Sequence, residues 1–310
     1  MGSLLVLSGW YLLVSTGLGG LSAAVLYGLA DEPGAVDGQP GERVCVVKDW
    51  GIAESSGLAI SHRHSGCFWT HNDSGDGPRL FLLDASGATR GILKVAAVDP
   101  VDWEDVCSFE LDGESWLLVA DTGDNAGDRG RDRPVCRLLL LAEPEVLGEG
   151  AAGPVQDWRG VVRAEIEVEY PGGPRDCESV AVDVTSRQIF LVSKRAAGKA
   201  ALYVLDLNLQ QQRQRVELRE AGSLGVPYAT GMDISADGRR MVIVNPVSGV
   251  VYRRQAGGDW GQAIRGGAEI LPLPLRKQGE SVCFEGDGKS VLVGSEGRWQ
   301  SVWRVRLSEQ

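Results

Sequence analysis

Ser56-Gly57-Leu58-Ala59, Glu104-Asp105-Val106-Cys107, Glu178-Ser179-Val180-Ala181, Thr230-Gly231-Met232-Asp233 and Glu280-Ser281-Val282-Cys283 share one plan: an oxygen-bearing side chain followed by a small apolar run. The lead residues are spaced 48, 74, 52 and 50 positions apart. A fixed period of this size is the mark of a repeat architecture. After each lead come the same events, a second short β-rich run ending in polar residues and then a third. Behind Ser56 these are Phe68-Trp69-Thr70-His71-Asn72-Asp73 and Leu80-Phe81-Leu82-Leu83-Asp84. Behind Glu178 they are Ile189-Phe190-Leu191-Val192-Ser193-Lys194 and Ala201-Leu202-Tyr203-Val204-Leu205-Asp206.

Short runs of this kind, bounded by Gly, Asp, Asn and Ser, read as strands and turns, and the repeat region carries no helical period. The class is all-β, and the repeat predicts a five-bladed β-propeller. Blades carry four strands, so a chain that begins within a blade closes the ring by lending a strand to its other end. The last repeat runs out after three strands, whereas Val44-Cys45-Val46-Val47-Lys48 precedes the first repeat with no blade of its own. That N-terminal strand is predicted to complete the last blade and to remove two exposed sheet edges. The blades then span 52–98, 99–170, 171–224, 225–272 and 273–308 plus 43–49. The alternative is a sixth blade hidden in the 74-residue interval.

The chain has 310 residues, 43% of them hydrophobic, and 42 glycines, enough for a full core with many tight turns. Its net charge of −11 excludes a phosphate-tracking surface and predicts no nucleic-acid partner. Residues 4–30 contain no charged side chain, a stretch longer than an ordinary signal core and long enough to cross a ~30 Å hydrocarbon layer. Residues 1–30 are therefore expected to be a signal peptide or membrane anchor, 31–42 a linker and 43–310 the propeller. The propeller would be extracytoplasmic, secreted or anchored, touching the membrane only through this segment and acting as a monomer. Six cysteines permit disulfides in an exported chain, but their spacing suggests neither pairs nor zinc. Cys107 and Cys283 share one repeat position and read as small buried apolar residues.

In a propeller the first strand of each blade lines the axis, so Ser56, Glu104, Glu178, Thr230 and Glu280 are expected to form a ring of oxygens. Three carboxylates so close repel unless a cation offsets them, and hard oxygen donors of this mixture suit Ca2+. The alternative is that these groups bond backbone amides and water. Glu54 is a further candidate ligand or a turn cap. Above the ring, His71 is a candidate general base, and Lys194, Arg195 and Arg79 are candidates to meet an anionic group.

On these residues the chain resembles two groups of calcium-dependent propellers. The order hydroxyl, carboxylate, carboxylate, hydroxyl, carboxylate, with Glu54-Ser55-Ser56 and Asn72-Asp73-Ser74-Gly75, resembles the calcium-activated nucleotidases (apyrases). Asp176-Cys177-Glu178-Ser179-Val180-Ala181 and Gly279-Glu280-Ser281-Val282-Cys283-Phe284 are similar to motifs of the β-propeller phytases and phytase-like proteins. The resemblance implies calcium-assisted hydrolysis of a small anionic phosphoester or phosphoanhydride, with Lys194 or Arg195 on a terminal phosphate. The chain departs from that pattern in having few basic side chains for the mouth. The other reading is a noncatalytic propeller that binds protein or glycan.

Overall fold

The computed structural model describes residues 4–7, 10–13, 25–28, 40–73, 75–124, 136–145 and 154–308. Two compact units emerge, Met1–Gly38 and Gln39–Gln310. In the first, strands β1 (Leu4–Leu7), β2 (Trp10–Leu13) and β3 (Val25–Gly28) pair as an antiparallel sheet. The signal or anchor expected over residues 1–30 otherwise lies outside the described residues, as do the linker up to residue 39 and most of the two inserts of the long interval. Among the described residues no helix is long and apolar enough to cross a membrane.

The second unit is an all-β propeller. β5 (Ser55–Ile60), β6 (Cys67–Asn72), β7 (Arg79–Asp84) and β8 (Thr89–Ala96) follow one another in an antiparallel sheet. β9 (Trp103–Leu111), β10 (Glu114–Asp121), β11 (Cys136–Ala142) and β12 (Gln156–Glu169) form the next. β13 (Cys177–Asp183), β14 (Gln188–Ser193) and β15 (Ala200–Asp206) are completed by β17 (Arg219–Leu224), with β16 (Arg213–Glu217) set on β12 instead. β18 (Gly231–Ile234), β19 (Arg240–Val244), β20 (Gly249–Arg253) and β21 (Glu269–Leu271) make the fourth unit. In the fifth, β22 (Val282–Phe284), β23 (Ser290–Val293) and β24 (Ser301–Arg306) are joined by the N-terminal strand β4 (Glu42–Val46). The ring is thus closed by the strand expected from sequence. Among the described residues the 74-residue interval holds one four-stranded unit.

A second pairing departs from simple blade repetition. The outer strands β8 and β12 run parallel from Gly91 opposite Gln156 to Ala96 opposite Val161, which fuses the first two units into one sheet. Gly91 permits this, because a Cβ there would overlap the Trp158 indole.

The innermost strands β5, β9, β13, β18 and β22 lie side by side in ring order. Apolar side chains fill each gap between consecutive blades. Trp69, Leu82, Leu117 and Leu139 lie between the first two, Leu138, Ile166, Val180 and Leu191 between the second and third, and Phe190, Leu202, Met232 and Ile243 between the third and fourth. Val242, Val291 and Val293 fill the fourth gap, and Leu58, Phe68, Leu83 and Cys283 the closing one. Each such side chain contributes on the order of 1.5–3 kcal/mol when fully buried. All six cysteines are free thiols, and Cys107 and Cys283 are buried among apolar groups, as expected.

Neighbouring inner strands are not hydrogen-bonded as a sheet, and side chains tie them instead. The Asp105 carboxylate accepts from Val106 N and, across the blade boundary, from Val180 N, both at 2.8 Å, with the Met232 backbone adding a further bond. Asp233 accepts from Ile234 N at 2.8 Å and from Phe284 N of the next blade at 2.7 Å. Burial drives both carboxyls up, Asp233 to about 7, against the pull of these amides. Replacing Asp233 by Ala is expected to destabilise the fold by roughly 1–3 kcal/mol for each amide left without an acceptor, and Asp233→Asn by less, since one acceptor oxygen remains. Urea midpoints that do not fall in the order wild type, Asn, Ala would rule out this tie between the blades.

Candidate functional site

The lead residues converge at one end of the axis, as the repeat requires, but they divide into two kinds. The hydroxyls act as ties. Ser56 Oγ donates to Glu104 O at 2.5 Å, and Thr230 Oγ1 donates to Gly279 O at 2.9 Å, each across a blade boundary. The carboxylates face one another. Oxygens of Glu104, Asp176 and Glu178 lie within 4.8 Å of each other, and so do those of Asp73, Asp102 and Glu104. Glu104 belongs to both groups, is 2% exposed, and its Oε1 has no hydrogen-bond partner. Glu280 lies further round, close enough to raise Glu178 but outside both groups.

The backbone around the cluster is held firmly. Asp102 is fixed by Asp121, which accepts from Asp102 N at 2.8 Å and is itself paired with Arg137 at 2.7 Å. Asp176 accepts from Asp124 N at 2.9 Å, and Thr122 Oγ1 donates to Cys177 O at 2.6 Å, which ties the second blade to the third. Gly123 lets the acids approach the backbone closely, since a Cβ there would overlap both Glu104 Oε1 and the Asp102 carboxylate. Asn72 accepts from Ala53 N and Glu54 N and donates to Asp76, so it closes the loop that leads into β5.

Burial and mutual repulsion set the electrostatics. Burial, then Glu178, Asp73, Asp102 and Asp176, hold the Glu104 carboxyl well above the carboxylate range. Glu178 is pushed up to about 8 by burial, with Asp176 and Glu280 adding to it and Lys194 opposing. Lys194 Nζ pairs directly with Glu178 Oε1. Burial works against the ammonium charge, but Glu178, Glu280 and Asp176 together raise its pKa above the ordinary value. Glu280 is raised by burial and Asp73, and Glu296 reaches about 7 through burial, Glu280, Asp73 and Glu54. Arg276 is lowered to about 10 by burial, with Glu280 opposing, and donates to the backbone at Gly294 O and Asn245 O.

Of the residues expected to do chemistry, Lys194 and Arg195 lie at the mouth and His71 is enclosed. His71 is 0% exposed, with Nδ1 2.8 Å from Asn72 O and Nε2 facing Gly57, and burial lowers its pKa to about 4. Its ring packs edge-on to Trp103 at 5.9 Å, as a core aromatic does. Lys194 is occupied by Glu178, and Arg79 by Asp76 at 2.8 Å. Arg195 is half-buried beside the mouth, on the segment after β14. Asp102 and Asp176 were not assigned to the ring from sequence, although each stands two positions before a lead glutamate, as Glu54 stands before Ser56.

In sequence, no family model and no curated protein matches the chain. Among solved structures, one similar to it is Chaetomium thermophilum Sqt1 bound to the N-terminus of the ribosomal protein L10. The TM-score is 0.37 and the identity 15%, over 87% of this chain and 68% of that one. The fold rests on the strand order and the closed ring described above.

Gly123→Ala is expected to force the Glu104 and Asp102 carboxylates apart, at a cost of about 1–3 kcal/mol. Gly286→Ala, where a Cβ meets nothing within 4 Å, is the control. Equal unfolding midpoints for the two variants would show that the space beside Glu104 is not needed.

Proposed function

We propose that the chain is a noncatalytic binding propeller whose axial mouth holds a divalent cation, with calcium favoured by the donor set. Glu104, Asp176 and Glu178 would be its ligands, with Asp73 and Asp102 on the side shared through Glu104. The observation that carries this reading is the buried Glu104 oxygen, which has no hydrogen-bond donor and faces further carboxylates within 4.8 Å. An isolated buried charge is costly, and like charges at this distance add to the cost. Lys194 pairs with Glu178 and also acts on Glu280. A hard cation accepting carboxylate oxygens would relieve the repulsion within the cluster, and among the described residues its donors include no Cys or His, which favours calcium or magnesium over zinc or copper. Ser56 and Thr230, whose hydroxyls already donate to carbonyls, serve the ring as ties between blades.

The placement of His71 and Lys194 favours binding over hydrolysis. A general base must reach the proton that it takes. His71 is enclosed by Gly57, Asn72 and Trp103, and Lys194, the residue asked to hold a phosphate, is committed to Glu178. Glu54 and Glu296 stand beside the cluster and add to the acids that a phosphate ester would meet there.

Calcium added to the chelator-treated protein is expected to raise its melting temperature with the logarithm of concentration, by about 2.7 kcal/mol of stability at a hundredfold excess over Kd. In chelator, Glu104→Gln should be at least as stable as wild type, because it removes a carboxyl whose charged form burial and the neighbouring acids oppose, and it should lose the calcium response. A calcium response undiminished in Glu104→Gln would exclude this site, and no response in wild type would exclude the cation. Phosphate released from nucleotides or inositol phosphates by wild type but not by Glu104→Gln would replace the binding reading with hydrolysis.

A further inference from the structure

We infer that Lys194 is a built-in competitor of the divalent cation: its ammonium and the ion contend for the Glu178 carboxylate, and the ion enters as the ammonium moves to a neighbouring acid. This deepens the binding reading above and rests on it for the ion and its ligands. Lys194 Nζ is in direct contact with Glu178 Oε1, and oxygens of Glu178, Glu104 and Asp176 lie within 4.8 Å of one another. A calcium ion held by that group at carboxylate distances of ~2.3–2.6 Å stands beside the ammonium. Two cations on one carboxylate repel, and in a buried site water screens the repulsion poorly.

Of the two partners, the lysine is the one able to move. The Glu178 side chain is 5% exposed and stands on the inner strand β13, whose Cys177 O and Val180 N are both tied to the second blade. The Lys194 side chain is 28% exposed and follows directly after β14. Its backbone is fixed, since Lys194 N donates to Asp176 O at 2.9 Å and Tyr228 N donates to Arg195 O at 2.7 Å. Any displacement therefore falls to the flexible lysine stem. That stem has a second place to put its charge. Lys194 also acts on Glu280 and Glu296, and neither belongs to the two groups of three oxygens. The ammonium gives up Glu178 and remains among acids.

Other basic side chains near the mouth are held differently. Arg79 grips Asp76 through Nε and Nη2, and Arg137 bonds both Asp121 and Asp99 O. Arg276 donates to Gly294 O and Asn245 O, and the Arg298 guanidinium lies over the Trp50 ring. A guanidinium fork makes several bonds in one fixed geometry, whereas an ammonium is a point charge that can be exchanged. The consequence is a tuned affinity. The site is open to the ion only in the fraction of molecules whose ammonium has left Glu178, and the measured Kd is the intrinsic value divided by that fraction. A fraction of about one in ten weakens calcium binding about tenfold.

The test is calorimetric titration of the full chain with calcium. Lys194→Met is expected to bind calcium about tenfold more tightly than wild type, although in chelator it should melt lower because Glu178 has lost its partner. Lys199→Met, an exposed lysine on the same loop, should bind as wild type and so separates competition from the loss of one positive charge. Lys194→Arg should bind more weakly than wild type, because the fork holds Glu178 through two bonds. Glu280→Gln takes away the acid that receives the ammonium. It should weaken calcium several-fold when Lys194 is present and have no effect in the Lys194→Met background. Lys194→Met binding calcium as wild type does, or more weakly, would overturn the proposal and leave the cation in place. An equal effect of Glu280→Gln in both backgrounds would do the same. If Lys194→Met does not fold in chelator, Lys194→Arg decides, and calcium affinity at or above that of wild type in this variant would overturn the competition. Heat and melting temperature unmoved by calcium in both wild type and Lys194→Met would remove the cation itself, and the competition with it.

Discussion

The lateral contact between inner strands, made without a hydrogen-bonded ladder, governs the rest of this structure. Within each blade the backbone satisfies itself, but at the axis β5, β9, β13, β18 and β22 meet edge to edge with amides and carbonyls to spare. Buried backbone groups must find partners. Short polar side chains provide them: Asp105 and Asp233 accept amides from the next blade, and Ser56, Thr122 and Thr230 donate to its carbonyls. These bonds fix the height of each blade against its neighbour, and the apolar layers between blades then pack in register. The acidic mouth follows from that register, because it sets three glutamates at equivalent positions on one axis.

Closure by β4 belongs to the same logic. β24 would otherwise present an unpaired edge, and β4 covers it antiparallel from Val46 opposite Ser301 to Glu42 opposite Arg304. The short segment between β4 and β5 is therefore pinned at both ends, by Val47 N on Gln300 O at 2.9 Å and by Asn72 on the backbone at Ala53 and Glu54. Trp50 sits at the centre of this pinned segment. Its exposure results from a constrained loop, and a constrained aromatic loses little freedom when it meets a partner.

The repeat was readable because a strand that packs on both faces needs small or apolar residues at fixed positions, and the turns need Gly, Asp or Asn. The lead residue, the inner strand and the closing strand all carry that signature. The outer strands do not: β16 leaves its blade to pair with β12, and β12 pairs with β8 through a register set by Gly91 and Trp158, which no local pattern announces. At the site, position was legible and role was not. Ser56 and Glu104 occupy the same repeat position, but a hydroxyl is short enough to bond the adjacent carbonyl, whereas a glutamate must reach past it to the axis. Asp102 and Asp176 enter the cluster because two residues before an inner strand the chain has already turned towards the axis. His71 ends a strand as a solvated turn residue would, yet it is fully buried, with Trp103 of the next blade packed edge-on against it.

The sharpest contrast in the molecule is between adjacent residues. Asp105 and Glu104 are both buried acids on the same inner strand. Both Asp105 oxygens accept backbone amides at 2.8 Å, while Glu104 Oε1 has no donor. The fold is able to satisfy a carboxylate at this depth and does so one residue away, so the bare oxygen is not a general cost of building the ring. Gly123 sharpens the point: Glu104 Oε1 and the Asp102 carboxylate pack so close to it that a side chain there would overlap both. What sets Glu104 apart is a buried carboxyl oxygen without a donor, with further acids facing it.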